Sequence, residues 1–78
     1  NNKDEPSIVC RGERSQVQVY ANEIMYIEIS KRGTKVHTLN KVGLVEKVYS
    51  CKKSLGFLYE LFKESNFAYA HNSYIVNM

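Results

Sequence analysis

A chain of 78 residues, 44% apolar and 12% aromatic, holds one small globular core and leaves no room for a second domain. Its net charge of +3 is too modest to define a polyanion binder by itself. No apolar run approaches the roughly 20 residues of a membrane helix.

In chain order, residues 1–6 read as a linker or disordered segment and residues 7–78 as the domain. The polar start, with its single Pro6, lacks the apolar stretch of a secretory signal, so a cytoplasmic protein is expected. Ser7 to Arg11 and Ser15 to Tyr20 read as two strands joined by a turn at Gly12-Glu13-Arg14. Val17 and Val19 fall on one face and Gln16 and Gln18 on the other, the period of a half-buried hairpin. Ile24 to Ile29 is a nearly continuous apolar run rich in β-branched and aromatic residues, consistent with a strand covered on both faces. Lys31-Arg32-Gly33-Thr34 breaks that run as a basic turn, and Lys35 to Leu39 resumes as a strand. A further turn around Asn40 to Gly43 leads to a strand over Leu44 to Tyr49.

Ser54 is placed to cap the one helix, with Leu55, Leu58 and Phe62 at i, i+3 and i+7 and Phe57 and Leu61 four apart. Gly56 weakens that helix by about 1 kcal/mol relative to Ala, so packing on the sheet must support it. Two short runs, Phe67 to Ala70 and Tyr74 to Val76, then flank His71-Asn72-Ser73, residue types that favour turns by bonding nearby backbone. The result is an all-β domain, mainly antiparallel, with one short helix.

Charge is distributed unevenly along this plan. Residues 31–53 carry Lys31, Arg32, Lys35, Lys41, Lys47, Lys52 and Lys53 against Glu46 alone, a local +6. Cations that neutralise phosphates release counterions, which supplies most non-specific affinity for nucleic acid. Lysines on strands and turns also keep sheet edges soluble without any partner. The His71-Asn72-Ser73 turn favours the first reading, because an amide can bond adenine bidentately and imidazole and hydroxyl can donate to phosphate. His71 can equally hold its own turn by bonding a neighbour, and Ser73 and Asn77 have local backbone roles open to them. His37 reads as structural or exposed, and Glu28 as a partner for a nearby Lys or Arg. Cys10, His37, Cys51 and His71 lack the short spacings of a zinc site. Cys10 and Cys51 are expected as free thiols in a reducing compartment. No phosphate-binding glycine loop or nucleophile elbow occurs. No enzyme, metal or cofactor is expected.

The final stretch, Phe67-Ala-Tyr-Ala-His71-Asn-Ser73-Tyr-Ile-Val-Asn77, resembles the F-x-R-x-H-x-S-[YF]-[ILV]-V-N signature of LytTR-type DNA-binding domains, the output modules of many bacterial response regulators. Asn22 to Glu28 is similar to that family's D-I-L-Y-I-E strand, and Lys35-Val36-His37-Thr38 to the V-H-T that follows it. Tyr69 departs from the pattern, standing where the family usually has Arg, which removes a phosphate contact. The resemblance covers about Ser7 to the end and implies an elongated β fold whose last strands are missing here. It also implies an upstream receiver or sensor domain, double-stranded DNA as partner, and a homodimer on paired half-sites. The implied contacts come from two loops. In the first, Thr34 or Lys35 reads bases while Lys31 and Arg32 take phosphates or a guanine edge. In the second, Asn72 reads bases with His71 and Ser73 beside it. The two loops are expected to face the same way and span neighbouring grooves. The alternative is a protein-interaction module on the same fold that no longer reads DNA specifically. Single-stranded RNA stacked on Tyr20, Tyr26 or Tyr69 is a weaker third reading.

Overall fold

The computed structural model describes residues 5–40 and 45–78. Apolar alternation makes β1 (Ser7–Arg11) and β2 (Gln16–Tyr20) a hairpin, with Ser7 opposite Tyr20 and Arg11 opposite Gln16. A meander of β3 (Ile24–Ser30), β4 (Gly33–Asn40) and β5 (Val45–Cys51) follows. The helix α1 (Leu55–Phe62) then leads to a closing hairpin of β6 (Phe67–His71) and β7 (Tyr74–Asn77). All seven strands pair antiparallel in one sheet, in the order β2-β1-β5-β4-β3-β7-β6. No helix among the described residues is long and apolar enough to cross a membrane.

The sheet cannot be flat. Four strand spacings, about 19 Å, separate β2 from β3 in that order, yet only Ala21–Glu23 joins them, a single 3-10 turn. A turn of that kind rises about 2 Å per residue, so the β1–β2 hairpin must roll back towards β3. The link is held at several points. Ala21 N–H donates to the Pro6 carbonyl at 3.0 Å, and Asn22 N–H to the Glu5 carboxylate at 2.6 Å. The Asn77 amide donates to the carbonyls of Ile24 at 3.0 Å and Ala21 at 3.4 Å. Glu5 and Pro6, expected within a linker, are thus tied into the fold, while residues 1–4 lie outside the described part. Asn77 reaches backbone distant in sequence, where a local bond was expected. The rolling also limits the expected elongation, and the molecule measures 30 × 27 × 21 Å.

The rolled sheet and helix enclose a core built on Ile24, Ile27, Val36, Leu58, Phe62 and Ile75. Ile24 and Ile27 both face inward because a bulge between Ile24 and Tyr26 shifts the alternation. Ile29 at the strand end is 53% exposed, so β3 is not covered on both faces as its apolar run suggested. Its outer side carries Tyr26 and Glu28, which are only half-buried.

Ser54 caps the helix as expected, its hydroxyl accepting from Phe57 N–H at 3.2 Å. Leu55, Leu58 and Phe62 are buried, whereas Phe57 and Leu61 are exposed. At 100° per residue the latter two lie some 200–240° round the helix from Leu55, on its outer side. Gly56 shares that side, and a Cβ there would meet nothing within 4 Å. Gly56→Ala should therefore stabilise the domain by about 0.5–1 kcal/mol and raise the melting temperature by roughly 5 °C in a thermal scan.

Candidate nucleic-acid interface

The β3–β4 hairpin closes more tightly than its sequence suggested. Ser30 pairs directly with Gly33, leaving Lys31 and Arg32 as the whole turn. Gly33 adopts φ 145°, and a Cβ on it would lie 2.2 Å from the Cys51 carbonyl oxygen. Only glycine fits this crossing of β4 against the end of β5.

That closure turns Thr34 inward. The side chain is fully buried, and its hydroxyl donates to the Lys53 carbonyl at 3.1 Å. Thr34 therefore presents nothing to a partner, contrary to its expected role as a base reader. Its task is to fix the chain leaving β5. Lys35, the next residue, is exposed on the outer face opposite Glu28 and Ser50. The Glu28 carboxylate is engaged elsewhere, by His37 Nε2 at 2.6 Å, rather than by the Lys or Arg expected. His37 is stacked on Tyr26, centroids 4.1 Å apart at 11°. Lys31, Arg32 and Lys35 make no ion pair among the described residues.

The second turn, Asn72-Ser73, joins His71 to its partner Tyr74. Ser73 N–H donates to His71 Nδ1 at 3.2 Å, and the Ser73 hydroxyl lies 2.9 Å from the same nitrogen. Since Nδ1 accepts from a backbone amide, the neutral ring carries its proton on Nε2, which has no hydrogen-bond partner among the described residues and can donate outward. Tyr74 stacks on the ring at 5.8 Å and 18°, fixing its plane. His71 thus holds the turn through one nitrogen and offers the other, whereas the Ser73 hydroxyl is used within the turn. Asn72 is exposed at the tip, and its side chain makes no hydrogen bond to another described residue.

Both turns lie at the same end of the sheet. β7 runs antiparallel to β3, with Tyr74 opposite Glu28, and Ile29 N–H donates to the Ser73 carbonyl at 2.9 Å. Two strand spacings, about 10 Å, separate the turn axes across the order β4-β3-β7-β6. A shallow groove of about 430 Å³, lined by Ser30, Lys31, Arg32, Lys35 and Ser50 among others, runs beside the first turn. Lys52 and Lys53 belong to this end as well, because Cys51 pairs with Thr34. Both are exposed, and Lys53 lies 5.1 Å from the Phe57 ring centre. The sequence counts these two in its basic stretch but assigns them no contact. The turn expected around Asn40 to Gly43 falls mostly on residues 41–44, which lie outside the described part, and reflecting Thr34 through its centre gives residue 49, two short of the partner Cys51. Tyr69, two residues before His71, packs against Tyr59 of the helix at 4.7 Å.

Fold and site together define an all-β module with one helix that presents two polar turns side by side. The model of the LytTr DNA-binding domain matches residues 14–78, and the chain belongs to that family of DNA-binding domains. Neither the curated proteins nor the solved structures compared with the chain yielded a match.

Proposed function

We propose that this chain is the sequence-reading output domain of a bacterial transcriptional regulator of the response-regulator type, binding double-stranded DNA in the cytoplasm. Asn72 reads a base edge, His71 donates through Nε2 to phosphate, and Lys31, Arg32 and Lys35 neutralise backbone charge. Ser73 keeps the His71 ring in place. The full regulator adds a receiver or sensor domain and sets two copies on paired half-sites.

The observation that carries this reading is the Ile29 to Ser73 bond, which holds the amide-bearing turn beside the cationic one. With the turn axes about 10 Å apart, the long Lys31 and Arg32 side chains reach past one phosphate strand from the groove that Asn72 enters. That span extends the contact into the neighbouring groove.

The test is selection of a preferred site from random duplex DNA, followed by affinity measurements on that site and on a scrambled one across a salt series. Affinity should fall steeply as salt rises and differ clearly between the two sequences. Asn72→Ala should cost about 1–3 kcal/mol on the selected site and relax preference at one base pair. A flat salt response, or equal affinity for both sequences at physiological salt, would favour the protein-interaction module instead.

A further inference from the structure

Cys10 and Cys51 are both free thiols in the core, 2% and 5% exposed. They sit on neighbouring strands β1 and β5, whose antiparallel register sets Arg11 opposite Ser50. One step along each strand puts Cys10 opposite Cys51, and both belong to the same buried face. Burial, and then the adjacent Cys51 sulfur with its hydrogen bond, push the Cys10 thiol up to about 12. Both residues also line a surface depression of about 160 Å³, together with Arg11, Lys52 and Lys53. A small neutral oxidant can enter a space of that size.

The place they occupy is the weakest seam of the sheet. Arg11 with Ser50 is the one paired position between β1 and β5 among the described residues, while β4 and β5 pair continuously from Thr34 with Cys51 to Asn40 with Val45. The β1–β2 hairpin is thus joined to the rest of the ladder by little backbone bonding.

We propose that Cys10 and Cys51 form a disulfide on exposure to a hydroperoxide, a modification site that staples the β1–β2 hairpin to β5. In the first step the Cys51 sulfur, as thiolate, attacks a peroxide oxygen. The O–O bond breaks, one oxygen stays on sulfur as a sulfenic acid, and the other leaves as hydroxide, which takes up the proton released when the Cys51 thiol ionised and becomes water. In the second step the Cys10 sulfur attacks the Cys51 sulfur, the S–S bond forms as the S–O bond of the sulfenic acid breaks, and the departing hydroxyl takes the Cys10 proton and leaves as a second water. Two thiols thus lose two hydrogens while hydrogen peroxide is reduced to two waters. Cys10 takes the second role because it holds its proton more tightly than an ordinary thiol. The staple closes a long loop of the unfolded chain, which is the situation in which a crosslink stabilises most. It also borders the DNA-facing end, since Cys51 is the residue against which Gly33 packs.

The experiment treats the reduced 78-residue protein with hydrogen peroxide and counts thiols in denaturant. The count should fall from two to none, with a monomer on a non-reducing gel and a tryptic peptide pair linked through Cys10 and Cys51. The linked pair should weigh about 2 Da less than its two reduced peptides. Melting should rise by on the order of 10 °C and return on addition of dithiothreitol. Neither Cys10→Ser nor Cys51→Ser should give the linked peptide or show such a rise; Cys51→Ser should keep its one thiol, whereas Cys10→Ser should lose its own to an unresolved sulfenic acid that dimedone traps. Two thiols still titratable, crosslinked dimers, or sulfinic acid without a linked peptide would overturn the proposal, and a linked protein with unchanged melting would overturn the stapling. The wild-type thiol count and peptide map decide the matter even where a serine variant fails to fold.

Discussion

Gly33→Ala is expected to remove the cooperative unfolding transition or to lower its midpoint by 15 °C or more, on the order of 3 kcal/mol. The cause is a collision with backbone. The new methyl would lie 2.2 Å from the Cys51 carbonyl oxygen and 3.1 Å from the Lys52 carbonyl carbon, atoms that no rotamer change can move aside. The φ of 145° adds its own penalty for any residue with a Cβ. Small domains have little reserve, since native stabilities run about 5–15 kcal/mol and chains of this size fall at the low end. Circular dichroism on heating gives the answer. A variant melting within a few degrees of the parent would mean that β4 and the end of β5 do not approach as described.

The largest functional effect is expected from removing the two cations of the first turn together. Both side chains are exposed and make no ion pair among the described residues, so Lys31→Ala with Arg32→Ala should leave the melting temperature within about 1–2 °C. On DNA, two lost phosphate contacts should flatten the slope of log affinity against log salt by nearly two. That change amounts to on the order of 30-fold weaker binding at 0.15 M salt, relative to equal affinity extrapolated to 1 M. The loss should be the same for selected and scrambled sites, which separates it from Asn72→Ala. An unchanged slope would place these residues off the DNA.

Much of this architecture can be read from local patterning. Alternation in β1, β2 and β4, the Ser54 cap and the polar knot at His71 to Ser73 each rest on residues close in sequence, and every strand end falls within two residues of its expected place. Thr34 shows how the reading can go wrong with the signal in plain view. Val36 is core, so period two puts Thr34 and Thr38 inside with it and Lys35 and His37 outside. Treating Gly33-Thr34 as turn hid that parity. The helix misleads in the opposite way, because Phe57 and Leu61 are apolar yet lie on its solvent side. The strand order was not legible at all. Nothing local to Arg11 or Ser50 marks them as partners, and the adjacency of β7 to β3 emerges only once the chain has folded back. The neighbouring placement of the two turns depends on that adjacency, which the family resemblance implies and no local pattern of these residues carries.

The short strap from Tyr20 to Ile24 also bears on how the molecule assembles. The meander and the two terminal hairpins form from contacts close along the chain, which are quick to make. Completing the sheet then requires two long closures, Tyr74 onto Glu28 and Ser50 onto Arg11. Each must gather distant segments before any contact rewards the lost chain freedom, and such steps slow folding. Because the strap fastens one hairpin to the start of β3, the second closure begins with its ends already near each other. The docking of the C-terminal hairpin, which carries Asn72, has no such tether and is expected to be the slow event that completes the paired turns.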